Sequence, residues 1–197
     1  IGYGIDTVGR RYYDIHFVDI ETGEAVGEPI PSVTPYFEWG ADSNTAFYVK
    51  QDPQTLRSFQ VYRHTPGESD DALVYEETDD TFSTFSYKSL SGKFLYIYSY
   101  STTATEVRYI PLDTPDAEPV VFLARRDDHE YLVQDGVDRF YIWSNDGAEN
   151  FQLLEAPLYD TGQDKWQVVV PHRDDVLLEN FTVFQGHVVI DSTRQGL

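Results

Sequence analysis

Short apolar runs recur along the chain at nearly regular intervals. Four runs rich in aromatic and aliphatic residues begin at residues 46, 94, 140 and 188. A second set follows the first three at a distance of ten to thirteen residues and begins at residues 59, 106 and 150. Runs of this length and composition are typical of β-strands. Their common repeat of 44 to 48 residues indicates the blades of a β-propeller, four-stranded sheets that bury their faces against one another.

Turn-forming residues divide the first complete repeat into four predicted strands, which cover residues 36–39, 45–49, 56–64 and 72–75. Upstream, residues 10–20 alternate between apolar and polar positions, and a turn containing Gly23 leads to a second strand that reaches Val33. Beyond Asp175 only two further strands fit, and they cover residues 176–184 and 187–190. Gly136 and Gly147 lie in predicted turns, where positive φ angles are expected.

The sequence therefore predicts an all-β fold that forms part of a β-propeller, with three complete blades and two half blades. The predicted boundaries give a half blade at 1–33, whole blades at 34–80, 81–128 and 129–175, and a half blade at 176–197. The two half blades could pair and close a four-bladed ring. Four blades is the small end of the propeller range, and an excerpt from a larger ring is the preferred interpretation.

Composition supports a sheet protein and excludes several kinds of site. Fifteen Tyr, twelve Phe and three Trp accompany many Val and Thr residues, which suit pleated, half-buried surfaces. The absence of cysteine excludes disulfides and thiolate metal sites. No apolar run of about 18 residues and no signal-peptide pattern is present. These features predict a cytoplasmic protein that does not associate with membranes.

The net charge is −20, from 34 acidic and 14 basic residues. Such a charge repels phosphate backbones, so nucleic acid is not an expected partner. One interpretation is that the carboxylates solvate loops and protect sheet edges from pairing with other chains. The alternative is that they attract basic peptides.

Pairs of aspartates repeat in step with the strands, at offsets of 48 and 47 residues: Asp79-Asp80, Asp127-Asp128 and Asp174-Asp175. Short carboxylates often bond nearby backbone amides, so these pairs are expected to cap the connections between blades. Alternatively, they form an acidic rim around one mouth of the propeller, where they would attract cationic peptides. A glycosidase would need two carboxylates at a defined separation, which the sequence does not supply.

Catalytic and ligand-binding motifs are not found in the chain. The only glycines spaced as in a Gly-x-Ser-x-Gly elbow are Gly23 and Gly27, and Ala25 stands between them. Five histidines are scattered at positions 16, 64, 129, 172 and 187, without the compact spacing of a metal site. No catalytic residue, cofactor or metal is therefore predicted.

Several ordered segments resemble the propeller of the oligopeptidase B group in the prolyl oligopeptidase family. The resemblance covers residues 19–197 and is carried by Asp52-Pro53-x-Thr55-Leu56-Arg57, Gln60-Val61-Tyr62-Arg63-His64, Val74-Tyr75-Glu76-Glu77-x-Asp79-Asp80, Thr105-Glu106-Val107-Arg108, Phe122-Leu123-x-Arg125-Arg126-x-x-His129-Glu130-Tyr131 and Pro171-His172-Arg173-Asp174-Asp175.

This resemblance implies a cytoplasmic serine peptidase of seven blades with an α/β-hydrolase domain in the same polypeptide. It implies cleavage of short peptides after Lys or Arg, with catalytic residues outside these 197 residues. The propeller would then act as a size filter over the active site. Arg10 and Arg11 are candidates for contact with the hydrolase domain, because an arginine fork suits a carboxylate across an interface. The alternative function is a stand-alone propeller scaffold that binds proteins or peptides.

Overall fold

The computed structural model describes residues 1–194 and consists almost entirely of β-strands. A single 3₁₀ turn at Gln163–Lys165 is the helical element among these residues. The all-β class is therefore confirmed. The strands are β1 (Gly2–Ile5), β2 (Tyr13–Phe17), β3 (Ile30–Trp39), β4 (Ala46–Gln51), β5 (Ser58–His64), β6 (Ala72–Glu76), β7 (Ser83–Lys88), β8 (Phe94–Tyr100), β9 (Thr105–Pro111), β10 (Val120–Leu123), β11 (Tyr131–Asp135), β12 (Arg139–Ser144), β13 (Gln152–Pro157), β14 (Gln167–Val170), β15 (Val176–Val183) and β16 (Val188–Arg194).

The strands form four sheets in which sequence neighbours are also spatial neighbours. Strands β1 to β6 form a six-stranded sheet, β7 to β10 and β11 to β14 form two four-stranded sheets, and β15 pairs with β16. The two four-stranded sheets have the number of strands predicted from the repeat. The final pair of strands also matches the prediction.

Two compact units make up the chain. The first contains Ile1–Lys88, Gly92–Ser99 and Tyr109–Val120. The second contains Ser89–Ser91, Tyr100–Arg108 and the chain from Val121 onward.

In the first unit, strand β4 is buried on both faces. Phe47 and Val49 belong to one core cluster, together with residues of β5, β8 and β9. Ala46 and Tyr48 belong to a second cluster, formed with residues of β2 and β3. Because successive side chains of a strand point to opposite faces, burial of both faces requires an uninterrupted apolar run. This explains why the run at residues 46–49 marks the repeat so clearly.

In the second unit, strands β13 and β15 supply the centre of a smaller core. Leu153, Phe181 and Val183 are buried there, and Trp143 of β12 packs against them. The indole nitrogen of Trp143 donates a 2.8 Å hydrogen bond to the Leu178 carbonyl, which satisfies its polar atom.

The structure differs from the sequence prediction at the start of the chain. Residues 30–39 form one strand rather than two, because Val33 pairs with both Tyr13 and Lys50 and so joins the upstream strands to the first complete repeat. Strand β1 was not predicted. Gly136 was expected to have a positive φ angle but does not. A Cβ atom there would lie 3.0 Å from the Tyr141 ring, so space rather than backbone conformation favours glycine. Gly23 and Gly147 do have positive φ angles.

Candidate functional surface at the connections between sheets

The repeated aspartate pairs occupy equivalent places in the topology. Asp79-Asp80 lies between β6 and β7, Asp127-Asp128 between β10 and β11, and Asp174-Asp175 between β14 and β15. Each connection links the fourth strand of a repeat to the first strand of the next. The repeat seen in the sequence therefore corresponds to a repeated connection in the structure.

Within the pairs, some carboxylates bond locally and others are exposed. The Asp79 carboxylate accepts hydrogen bonds from the Thr81 amide at 3.0 Å and hydroxyl at 2.6 Å. Asp175 accepts from the guanidinium groups of Arg173 and Arg194, at 2.9 and 3.1 Å. The remaining carboxylates belong to exposed residues: Asp80, Asp127, Asp128 and Asp174.

A side chain at the start of the third strand fixes each connection, a role that the sequence analysis did not identify. In the first repeat, the Arg57 guanidinium donates three hydrogen bonds to backbone carbonyls. The acceptors are the carbonyls of Glu77 at 2.8 Å, Asp79 at 2.7 Å and Phe82 at 2.6 Å. These carbonyls belong to the connection between β6 and β7. Arg57 therefore fixes the backbone of the connection that contains Asp79 and Asp80.

Different residues do the same in the later repeats. The buried Glu106 carboxylate accepts a 3.0 Å hydrogen bond from the Arg125 amide, which follows β10. The side-chain amide of Asn150 donates hydrogen bonds to the backbone carbonyls of Arg173 and Asp174, both at 3.0 Å. The signal in the sequence is that polar residues 57, 106 and 150 keep nearly the same interval as the apolar runs beside them.

Arg10 and Arg11 lie on an exposed loop between β1 and β2. The Asp6 carboxylate organises this loop by accepting hydrogen bonds from the amides of Val8, Gly9 and Arg11. Desolvation opposes ionisation of Asp6, but the combined backbone hydrogen bonds outweigh it and lower its pKa. Within residues 1–194, neither arginine side chain forms an ion pair with a carboxylate. Both guanidinium groups are thus available for an outside partner.

His129 and Ser144 form a histidine–serine contact whose role is structural. His129 Nε2 lies 2.9 Å from Ser144 Oγ, but Ser144 is fully buried and His129 Nδ1 has no hydrogen-bond partner. A nucleophile needs access to substrate and a base held in orientation by a third group. Across the described residues no cluster of three or more His, Asp or Glu side chains is arranged to hold a metal ion.

Stability should depend on the protonation of His129. Burial lowers its pKa, nearby Arg126 lowers it further, and Asp146 opposes them. The unfolded state therefore binds this proton more readily, so His129 stabilises the fold above about pH 6.5, and that contribution falls as the pH drops below this value. We expect the thermal unfolding temperature to fall between pH 7.5 and 5.5, and to fall less in a His129→Gln variant. Equal slopes in scanning calorimetry would contradict this assignment.

The comparisons with known proteins agree with this architecture. All 197 residues match the family model described as the prolyl oligopeptidase N-terminal beta-propeller domain. Dipeptidyl aminopeptidase BI of Pseudoxanthomonas mexicana is 42% identical over the whole chain, and Protease 2 of Moraxella lacunata is 35% identical over 96% of it. The chain spans 28% of the length of each of these relatives.

Solved structures show the same similarity in three dimensions. The structure of oligopeptidase B from Leishmania major aligns over the whole chain with a TM-score of 0.93 and 32% sequence identity, and the chain covers 28% of that protein. Oligopeptidase B from Trypanosoma brucei, in a closed form with covalently bound antipain, aligns with a TM-score of 0.89 and 25% identity. The predicted partial β-propeller is thereby confirmed. No helix in residues 1–194 has the length and apolar character needed to cross a bilayer.

Proposed function

The chain belongs to the prolyl oligopeptidase family, as part of its N-terminal β-propeller domain, and from this membership we propose that it screens substrates by size for a peptidase domain in the same polypeptide. The observation that carries this proposal is the match of all 197 residues to the propeller model, in a chain that spans 28% of its relatives' length. The relatives are peptidases, and the rest of their length provides room for the hydrolase domain. This favours the peptidase interpretation over a stand-alone scaffold.

The sheets of this chain suit a rigid wall. Central strands such as β4 are buried on both faces, and the connections are fixed by the hydrogen bonds of Arg57, Glu106 and Asn150. A rigid wall around a reaction space excludes bulk water and large proteins while small substrates pass. A cytoplasmic location belongs to the same proposal, as do the blade boundaries given above, apart from the one between residues 33 and 34, which falls inside β3.

For substrate, we propose short peptides cleaved after Lys or Arg by a serine nucleophile outside this chain. The similarity to oligopeptidase B proteins supports this choice. The test uses the full-length protein and four peptides that differ only in the residue before the scissile bond. This residue is Lys, Arg, Gln or Pro. We expect kcat/KM for Lys and Arg to exceed the others by at least about tenfold. A preference for Pro or Gln would overturn the specificity.

The same peptides with acetylated amino termini separate two kinds of peptidase. An endopeptidase should cleave acetylated and free peptides at similar rates. Cleavage only of free peptides, two residues from the amino terminus, would instead match a dipeptidyl aminopeptidase, as the relative from Pseudoxanthomonas mexicana is named.

We further propose that the exposed aspartates form an acidic rim that attracts cationic peptides. In the full-length enzyme, a triple variant with Asp80→Asn, Asp127→Asn and Asp174→Asn should lower kcat/KM for a Lys-containing peptide by about threefold to tenfold at low ionic strength. The loss should disappear at high salt, because salt screens exposed charges. The matched control replaces the exposed Asp70, Asp116 and Asp191 by Asn. Equal losses in both variants would show a net-charge effect and no rim.

Arg10 and Arg11 are proposed as contacts with the peptidase domain, because their guanidinium groups are exposed and form no ion pair in the described chain. Arg11→Ala in the full-length enzyme should change kcat and its salt dependence, since a bidentate ion pair across the interface would be lost. Arg11→Lys keeps the charge but not the fork, and should recover only part of the effect. Unchanged turnover of Arg11→Ala at every salt concentration would remove these contacts from the proposal.

A further inference from the structure

Two hairpin turns of the second unit line a cavity of about 270 Å³. One turn joins β11 to β12, and a 2.7 Å hydrogen bond from the Gly136 amide to the Arg139 carbonyl closes it. The other joins β15 to β16, and a 2.9 Å hydrogen bond from the Phe184 amide to the His187 carbonyl closes it. Both turns follow the first strand of a sheet, whereas the aspartate pairs precede that strand. The cavity therefore lies at the opposite end of β11 and β15 from the aspartate pairs.

A side chain of β11 fixes the spacing of the two turns. The side-chain nitrogen of Gln134 donates a 2.9 Å hydrogen bond to the Phe181 carbonyl, and its oxygen accepts a 3.0 Å hydrogen bond from the Val183 amide. Gln134 thus joins β11 to β15 just before both strands turn. Phe181 and Val183 are also buried in the core of this unit. The walls of the cavity are therefore held in place without a ligand, which lowers the entropic cost of binding.

Aromatic rings form much of the lining. Phe184 and His187 stack on each other with a centroid distance of 5.0 Å and an interplanar angle of 17°. Tyr141 of β12 lines the cavity from the side of the other turn and packs against the core of the unit. Gly136 adds no side chain there, and a Cβ atom on it would lie 3.0 Å from the Tyr141 ring. A further aromatic ring can make stacked or edge-to-face contacts with such walls.

Exposed apolar side chains mark the equivalent turns of three successive sheets. Leu90, Val137 and Phe184 are 74%, 65% and 47% exposed and follow one another at intervals of 47 residues. The Ser91 hydroxyl donates a hydrogen bond to the Asp135 carboxylate, which holds the turn of Leu90 beside the next turn. Val137 and Phe184 line the cavity, and Leu90 does not. Apolar side chains displayed together at a surface indicate contact with a ligand or partner.

The charges beside the cavity favour a basic peptide. Asp138 lines it with an exposed carboxylate. The Arg139 guanidinium pairs with Asp138 at 2.9 Å and with Glu155 at 2.8 Å, so two carboxylates share one positive charge. The whole chain has a net charge of −20. A peptide that carries Lys or Arg next to an aromatic residue therefore complements both the lining and the charge.

We propose that this cavity binds the aromatic side chain of a basic peptide, with the neighbouring Lys or Arg beside Asp138. The ring of the peptide would pack against Phe184 and Tyr141. The cavity is smaller than the sites that hold drug-sized ligands, which suits a single side chain. This inference rests on the proposed function for its class of substrate, and it adds a point of recognition apart from the scissile bond.

The test is isothermal titration calorimetry of the full-length protein with acetyl-Gly-Phe-D-Arg-Gly-amide, in which D-arginine prevents cleavage after the basic residue. We expect saturable binding, and Ala in place of the peptide's Phe should weaken it by at least about fivefold, because the ring contacts are lost. Phe184→Ser should weaken binding to a similar extent, whereas Phe184→Tyr keeps the ring and should bind as the wild type does. Leu90→Ser is the matched control, because it removes an exposed apolar side chain from the equivalent turn outside the cavity. It should also bind as the wild type does.

The part played by Asp138 has its own measurement. Asp138→Asn should weaken binding of the D-arginine peptide by about twofold to fivefold at low ionic strength. It should leave binding of the same peptide with D-norleucine unchanged. An equal change for both peptides would remove Asp138 from the site.

The proposal is overturned if the Phe peptide does not bind saturably, if the Phe and Ala peptides bind equally, or if Phe184→Ser and Leu90→Ser lose equal affinity. Self-association of the wild type that Phe184→Ser abolishes, measured by sedimentation velocity, would assign the turns to a second copy and would also overturn it. Calorimetric unfolding verifies that each variant is folded. Cleavage after Lys or Arg is measured with separate peptides, so failure of the cavity and failure of the proposed function are distinguishable.

Discussion

Replacing Arg57 by Ala should destabilise the propeller by about 3 kcal/mol, because it removes three hydrogen bonds from a charged donor to backbone carbonyls. The carbonyls of Glu77, Asp79 and Phe82 would each lose that partner. Glu77 is buried, and leaving polar groups unsatisfied in such a place is costly. The loss should be largest in the connection between β6 and β7. Hydrogen–deuterium exchange of residues 77–82 and urea unfolding of the full-length protein measure it.

Two variants show whether the geometry of Arg57 matters. Arg57→Lys keeps the charge but lacks the planar fork, so it should recover only a small part of the stability. Arg139→Ala removes an arginine that bonds two carboxylates on an exposed surface, Asp138 and Glu155, and should change stability little. If Arg57→Ala and Arg139→Ala unfold at the same urea concentration, the connection does not depend on Arg57.

Replacing Phe47 by Ala should have a larger effect, about 3–5 kcal/mol, which is the usual cost of truncating a fully buried Phe. Phe47 is 0% exposed and lies in the cluster that joins β4 and β5 to Leu95 and Ile97 of β8. The variant would leave a cavity that the surrounding sheets cannot fill, since both faces of β4 are packed. Chemical denaturation provides the free energy of unfolding.

Tyr36→Ala is the matched control for Phe47→Ala, because Tyr36 lies in β3 of the same sheet but is 74% exposed. It should change the free energy of unfolding by less than about 1 kcal/mol. Circular dichroism of both variants at low temperature should match the wild type. A loss from Phe47→Ala no larger than that from Tyr36→Ala would mean that this cluster is not a stabilising core.

The strands were predictable because burial on both faces leaves a strong pattern. Residues 46–49 and 94–98 are buried at every position, so they appear as uninterrupted apolar runs. The joining of β3 to two neighbours was not predictable. The sequence analysis placed separate strands up to Val33 and at 36–39, but β3 pairs as one strand in spite of a positive φ angle of 57° at Ser32, with a register shift between Val33 and Phe37.

The positions of the acidic pairs were predictable, but the residues that fix their connections were not. Arg57, Glu106 and Asn150 have different chemistry, and they act on backbone groups that every residue carries. No residue-type motif can express such a role. Likewise, His64 and Asp71 meet because the turn between β5 and β6 brings them together, and their partner Tyr48 comes from β4. Only strand pairing reveals that contact.

The central claim is that the propeller admits small substrates and excludes folded proteins, and one ratio tests it most directly. The full-length enzyme is given one Lys-containing segment as a free peptide, within a loop of a folded protein, and within the same protein after irreversible unfolding. We expect the free peptide to be cleaved at least about a hundredfold faster than the folded loop. Unfolding the protein should raise the rate of cleavage of this segment only slightly, because the unfolded chain is still long. Equal cleavage of the free peptide and the folded loop would contradict it.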